Sequence, residues 1–407
     1  MDVSFAPSPT LAPQPVTPTA PLAVPADPVD PNETPSVFSP VAAIQRFEHV
    51  VIDTVAAILP PHLLSTEEIE RRLGAVYRRL GLPEGRLELM TGIRERRFFE
   101  PGTRPGSISA LAVREAIAAS GIAIEMFGAL IHGSVCRDQM EPATAAGVHE
   151  EAGLPPHCQF FDVSNACLGL LCAVMILAMM VELGQIKAGI AVGTEVGGPL
   201  VHQTIEQLNA ASEAGELTRK SIKPQLASLT IGSGSSAIIV AHRDLSPDGS
   251  SLLGTATRTD TASSRLCAGG SEAGGPTLMQ TDSEALLHAG VNLASETWGQ
   301  FAPAFRRHGG RTDRICTHQV GVRHRKLLLE TLGLDPSLDF PTVERFGNTG
   351  SCALPMAAAL AGEAGHLQPG DRAAWLGIGS GLSSQMVAVD WNATNAVVHD
   401  LRTPLVT

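Results

Sequence analysis

The sequence predicts an α/β protein built from two similar halves, and three observations carry that prediction. Short apolar runs ("HVVIDTVAAIL", "ALIHGSV", "GIAVGTE", "SSAIIVA", "RICTHQV", "AAWLGIG") alternate with Ala- and Leu-rich helical stretches, the pattern of sheets buried between helices. A shift of 181 residues lays "NACLGLLCAVMILAMMVELGQI" on "GNTGSCALPMAAALAGEAGHL", with Cys167 on Asn348 and Gly184 on Gly365, which marks a repeated unit. In each copy the helix is followed by a polar turn and a Gly-rich strand, "IKAGIAVGTE" and "QPGDRAAWLGIGS".

Along the chain, residues 1–44 read as a disordered tail. Residues 1–40 hold 11 of the 29 prolines and no Lys or Arg, so this segment lacks backbone donors and has little to bury. The first half is expected over 45–245 and the second over 246–407, packed as a pseudo-dimer. A second alignment, "ALIHGSV" with "RICTHQV", sets Ser134 opposite His318 at a shift of 184. Between Val163 and Val181 stand nineteen consecutive uncharged residues, long enough for a bilayer. That run contains Ser164, Asn165, Gly169 and two cysteines and has no basic anchor before it. We read it as a helix between sheets, buried on every side, and not as a membrane span.

Bulk composition narrows the function. With a net charge of −12, the chain lacks the basic footprint of a nucleic-acid binder. Seven cysteines without a CxxC pair read as free thiols of a reducing compartment, with no zinc site or disulfide framework. No basic segment followed by an apolar core opens the sequence, and a cytoplasmic location is expected. The Gly-rich stretches "IGSGSSAIIV" and "GIGSG" fit neither a dinucleotide-binding nor a P-loop spacing.

Cys167 follows the strand "CQFFDV" and the small-residue turn "SNA", at the start of the apolar helix. Unpaired N–H groups and the helix dipole at such a place favour a thiolate and can hold a developing oxyanion, so Cys167 is the candidate nucleophile. The other six cysteines read as packing residues. His318 ends the strand "RICTHQV", from which an imidazole can project into a site. Asn348 occupies the repeat position of Cys167 in the turn "ERFGNTGS"; the pseudo-dyad would bring both helix starts together. Arg94, Arg96 and Arg97 are candidate contacts for substrate phosphates, with a solvated charged face as the alternative.

Together "DVSNACLGLL", "THQVG", "FGNTGS", "GIGSGLSSQM" and "TGIRERRFF" resemble the thiolase superfamily, on its ketoacyl-ACP synthase III branch, over residues 46–391. The stretch "SVCRDQMEPATA" is similar to that of the acyl-CoA condensing enzymes of head-to-head olefin biosynthesis. The resemblance implies a five-layered α/β/α/β/α thiolase fold and a homodimer that needs no cofactor beyond coenzyme A (or ACP) thioesters. It implies that Cys167 accepts an acyl group, that His318 and Asn348 stabilise an enolate, and that the backbone N–H groups of Cys167 and Ser380 form an oxyanion hole. It also implies that Glu141 removes the α-proton of the second acyl-CoA in the neighbouring subunit, a step that decarboxylating synthases do not need. The alternatives are a decarboxylating 3-oxoacyl-ACP synthase III and an idle thiolase-fold binding subunit.

Overall fold

The computed structural model describes residues 43–270, 278–306 and 312–402. The Pro-rich tail lies outside them, except that Ala43 and Ile44 already belong to the first strand. Eleven strands of one hydrogen-bonded sheet follow in chain order: β1 (Ala43–Arg46), β2 (Val50–Leu59), β3 (Phe127–His132), β4 (Gln159–Asp162), β5 (Ala188–Glu195), β6 (Gly234–His242), β7 (Ser250–Thr259), β8 (Arg314–Thr317), β9 (Arg372–Gly379), β10 (Ser383–Asp390) and β11 (Asn395–Asp400). The helices that position the site are α1 (Pro105–Ser120), α2 (Thr144–Glu151), α3 (Gly169–Glu182), α4 (Ser283–Arg306), α5 (Val322–Leu332) and α6 (Ala353–Glu363).

The strand order resolves the single sheet into two copies of one topology. In the first half it runs β4-β3-β5-β6-β2, and in the second β8-β9-β10-β7, with Asp339 bridged in parallel to Ile315 where a third strand would stand. Numbered within each half, both read third, second, fourth, fifth, first. In both, the fifth strand is antiparallel to its two neighbours, β6 to β5 and β2, β10 to β9 and β7. The halves join through only two residue pairs of β2 and β7, Val51 with Ser251 and Ile52 with Ser250. Each half also lends a strand to the other: β1 pairs with β7, and β11 pairs with β2. The outermost strands thus cross the division at residue 245.

Strand register moves one sequence alignment by a residue. β3 pairs with β5 through Ile131 and Ala191, and β8 with β9 through Cys316 and Trp375. Ala191 and Trp375 are each the fourth residue of eight-residue strands. Ile131 therefore corresponds to Cys316, and His318 falls opposite Gly133, not Ser134.

Two-residue alternation distributes each strand between core layers. Ile238 and Val240 of β6, and Ala373 and Trp375 of β9, face a central layer shared with α3 and α6. Ala237, Ile239 and Ala241 face the outer layer with α1. Ala374, Leu376 and Ile378 face the opposite outer layer with α4 and α5. The result is the five-layered α/β/α/β/α thiolase fold. Small residues let the central layer close. A Cβ on Gly133 would lie 2.4 Å from the Gly169 carbonyl oxygen, so the start of α3 packs backbone to backbone on the loop after β3.

The apolar run forms the 14-residue helix α3. Among the described residues no helix is long and apolar enough to cross a membrane. Its burial is less complete than expected. Cys172, Ile176 and Met180, at a spacing of four, are half-buried, and Leu183 is 73% exposed. These residues form one helical stripe. Among the described residues β4 is the edge strand at one end of the sheet, and it exposes Phe160.

Candidate active site

Three chain segments meet at the carboxyl end of β9. Cys167 lies in the 3-10 turn Ala166–Leu168 that leads into α3, after Ala166 at φ 45°. A non-glycine residue in that region is strained, and here it turns the chain so that the next residue faces the end of β9. A Cβ on Gly379 would lie 3.0 Å from the Leu168 side chain, and the Ser380 N–H faces the Cys167 sulfur together with the Cys167 N–H. Both expected oxyanion donors therefore point at the thiol.

Burial raises the Cys167 thiol to about 12, with Glu195 and then Cys267 pushing the same way and the two backbone N–H groups opposing. The expected thiolate at a helix start is corrected: a helix end contributes about 0.3–1 kcal/mol, less than one pKa unit, and desolvation outweighs it. Cys167 is held as a neutral thiol at rest, so a role as nucleophile requires that its proton leave as the sulfur attacks.

His318 is buried, its backbone N–H bonded to the Leu376 carbonyl at 3.0 Å. Neither ring nitrogen makes a hydrogen bond within ordinary geometry; the Asn348 side chain and the Ile378 backbone face the ring. Burial, and secondarily His324, lower it to about 4, so the imidazole is neutral near pH 7 and can donate one N–H to an oxygen. Its neighbours in sequence are locked. Thr317 donates through N and Oγ1 to Asp339, and Gln319 accepts from the Thr342 and Val343 N–H groups. The Asn348 backbone is pinned on both sides, its N–H to Thr230 and its carbonyl to the Gly232 N–H. Asn348 Oδ1 accepts the Gly350 N–H at 3.0 Å, which leaves the amide NH₂ to donate towards His318 or a bound oxygen.

Glu141 is not part of this cluster. It is exposed at the tip of the loop between β3 and α2, and no hydrogen bond or ion pair reaches it among the described residues. The loop itself is held at three points. Val135 and Cys136 donate their N–H groups to Glu195; Asp138 accepts from Arg104 and the Gly106 N–H; Asp162 accepts from the Thr144 and Ala145 N–H groups. Met140 beside Glu141 is 93% exposed. Among the described residues no cluster of three or more His, Cys, Asp or Glu side chains could hold a metal ion.

The arginine cluster is corrected. Only Arg94 faces solvent. Arg96 is fully buried and donates to Thr66 Oγ1 and the Leu229 carbonyl. Arg97 is 1% exposed, paired with Asp400 at 2.9 Å and stacked 5.2 Å from the Phe346 ring. Both act as internal ties, because a β-ribbon of His62–Ser65 with Glu95–Phe98 turns them inward. Arg97→Ala is expected to destabilise the fold by about 3 kcal/mol and to leave KM for acyl-CoA unchanged, as thermal denaturation and steady-state kinetics will read.

Sequence reading missed Glu195. It ends β5, is buried beside Cys167, and binds backbone groups from two distant segments. Nothing local in "VGTEVGG" distinguishes it from a surface acid.

A family model for the thiolase N-terminal domain matches residues 90–227, and one for the C-terminal part of 3-oxoacyl-[acyl-carrier-protein] synthase III matches residues 310–391. The chain is 36% identical over 353 residues to the acyl-CoA:acyl-CoA alkyltransferase of Shewanella oneidensis, covering 85% of this chain and 100% of that protein. It is 26% identical over 352 residues to a β-ketoacyl-[acyl-carrier-protein] synthase III of Symbiobacterium thermophilum, with 85% and 99% covered. Crystal structures of Xanthomonas campestris OleA match at TM-score 0.79 and 34% identity, covering 85% of this chain and 98% of that one. They include a cerulenin-bound form and variants at a cysteine, a glutamate and a histidine. That cysteine and glutamate have the same separation in sequence as Cys167 and Glu141.

Proposed function

Since the chain belongs to the thiolase superfamily, among the condensing enzymes similar to acyl-CoA:acyl-CoA alkyltransferase, we propose that it joins two fatty acyl-CoA thioesters by Claisen condensation. Cys167 attacks the first thioester carbonyl, its oxyanion is held by the Cys167 and Ser380 N–H groups, and CoA leaves as the thiol. The partner's Glu141 removes the α-proton of a second acyl-CoA, whose enolate oxygen is held by His318 and Asn348. The enolate carbon attacks the acyl-cysteine, the C–S bond breaks, and Cys167 recovers its proton. The product is a 2-alkyl-3-oxo thioester; where it leaves as the free acid, water hydrolyses that thioester and the second CoA departs as the thiol.

The observation that carries this reading is a carboxylate, unpartnered among the described residues, on a braced loop, because only non-decarboxylative condensation needs such a base. A homodimer is supported by the sheet edge at β4 with its exposed Phe160, by the half-buried stripe on α3 and by the exposed Met140, apolar surface of the kind that a second copy covers. The proposed setting is the cytoplasm, with CoA or ACP as carrier.

Purified protein given long-chain acyl-CoA alone is expected to yield the 2-alkyl-3-oxo product by mass spectrometry. A product that appears only when a malonyl donor is added overturns this reading in favour of a 3-oxoacyl-ACP synthase III; no acyl adduct with either donor points to an idle binding subunit.

A further inference from the structure

Glu195 is the only buried carboxylate described above that is held by donors from both the base loop and the turn after Asn348. It is 5% exposed at the end of β5. Its Oε1 accepts the Val135 N–H at 3.0 Å, the Ser351 N–H at 3.2 Å and the Ser351 hydroxyl at 2.6 Å; its Oε2 accepts the Cys136 N–H at 3.2 Å. No ion pair reaches it among the described residues. Val135 and Cys136 open the loop that carries Glu141, and Ser351 lies three residues after Asn348. Gly350, at φ 56°, sits directly on the carboxylate: a Cβ there would be 3.1 Å from the Glu195 Cδ.

We infer that Glu195 is a positioning residue that clamps the loop bearing the base to the turn bearing Asn348, so that one carboxylate sets both. The inference rests on the roles of Glu141 and Asn348 proposed above. Each subunit would hold its own enolate donor and the base it extends to its partner in one fixed relation. Four donors converge on two oxygens, which a carboxylate satisfies and an amide does not, since an amide nitrogen would face an N–H.

The carboxylate also carries a charge beside Cys167. The titratable groups that face the thiol are Glu195 and Cys267. Removing the Glu195 charge is therefore expected to ease ionisation of Cys167, a change that a merely structural residue would not produce.

Two variants of the full-length chain separate charge from reach: Glu195→Gln and Glu195→Asp. Each is read by the pH dependence of Cys167 alkylation with iodoacetamide, by acyl-adduct mass after incubation with acyl-CoA, and by product formation. For Glu195→Gln the alkylation profile is expected to move to lower pH, the adduct to form at least as fast as in wild type, and condensation to fall at least about tenfold. Glu195→Asp keeps the charge but shortens the arm, so its alkylation profile should match wild type while condensation falls. The inference is overturned if Glu195→Gln condenses at the wild-type rate, if its alkylation profile does not move, or if adduct and product fall by one common factor. If wild type condenses only with a malonyl donor, the role of Glu141 fails on its own. The same variants are then compared on that donor, where a loss of condensation keeps the clamp on Asn348 and no loss overturns it.

Discussion

Cys167→Ala is expected to abolish both half-reactions: intact-protein mass shows no acyl adduct, CoA release stays at background, and no condensed product forms. The thiol is the atom that both the Ser380 and Cys167 N–H groups face, and alanine removes it without disturbing the φ 45° turn at Ala166. Burial raises Cys136, Cys158, Cys172, Cys316 and Cys352 as it raises Cys167, so what singles out Cys167 is the pair of backbone N–H groups that face its sulfur. At a pKa of about 12, roughly one Cys167 thiol in 10⁵ is ionised at pH 7. Acylation of wild type should therefore quicken as pH rises from 7 to 9. An adduct of equal amount on Cys167→Ala moves the nucleophile elsewhere, with Cys267 the first position to map.

Glu141→Gln is expected to acylate normally and to condense at least about a hundredfold more slowly, within the usual ~10²–10⁴-fold contribution of a general base. Glutamine keeps the shape of the loop tip, and the braces at Glu195, Asp138 and Asp162 do not involve the Glu141 side chain. The loss therefore reports the missing proton acceptor. Complementation checks the direction of reach. A mixed dimer of Glu141→Gln with Cys167→Ala has one site with an intact Cys167 and the partner's intact Glu141. Product from the mixture, absent from either variant alone, supports action across the interface; a silent mixture means that Glu141 serves its own subunit or none.

The parts of this site that could be read in sequence are those with a local signature. Cys167 and Asn348 each stand in a small-residue turn before an apolar helix, and the 181-residue shift relates them. His318 follows a recognisable strand, but similarity between two strand sequences carries no register, and pairing in the sheet places His318 opposite Gly133 and not Ser134. The two buried arginines could not be read, because "RERR" looks like a charged face. The partner of Arg97 lies 303 residues away, and a cation whose counter-ion is that distant has no sequence signal. Glu195 is hidden for a related reason, since three of its four donors are backbone N–H groups and backbone carries no identity. The protonation of Cys167 depends on how much protein surrounds it, a property of the packed layers and not of the helix start that "SNAC" announces.

The exchange of β1 and β11 between the halves has a consequence for how the protein is made. β11 pairs with β2 across 341 residues, as the contact between Asn395 and Thr54 shows, and loop closure of that length makes the pairing late and slow. While a ribosome synthesises the intervening chain at ~5–20 residues per second, the first half can assemble β4-β3-β5-β6-β2, but for tens of seconds β2 keeps an open edge of apolar sequence. Such an edge pairs readily with any other exposed strand. A fragment ending near residue 245 never receives β11 and would carry that edge permanently, so the two halves resemble separate domains but are expected to stay soluble only as one continuous chain.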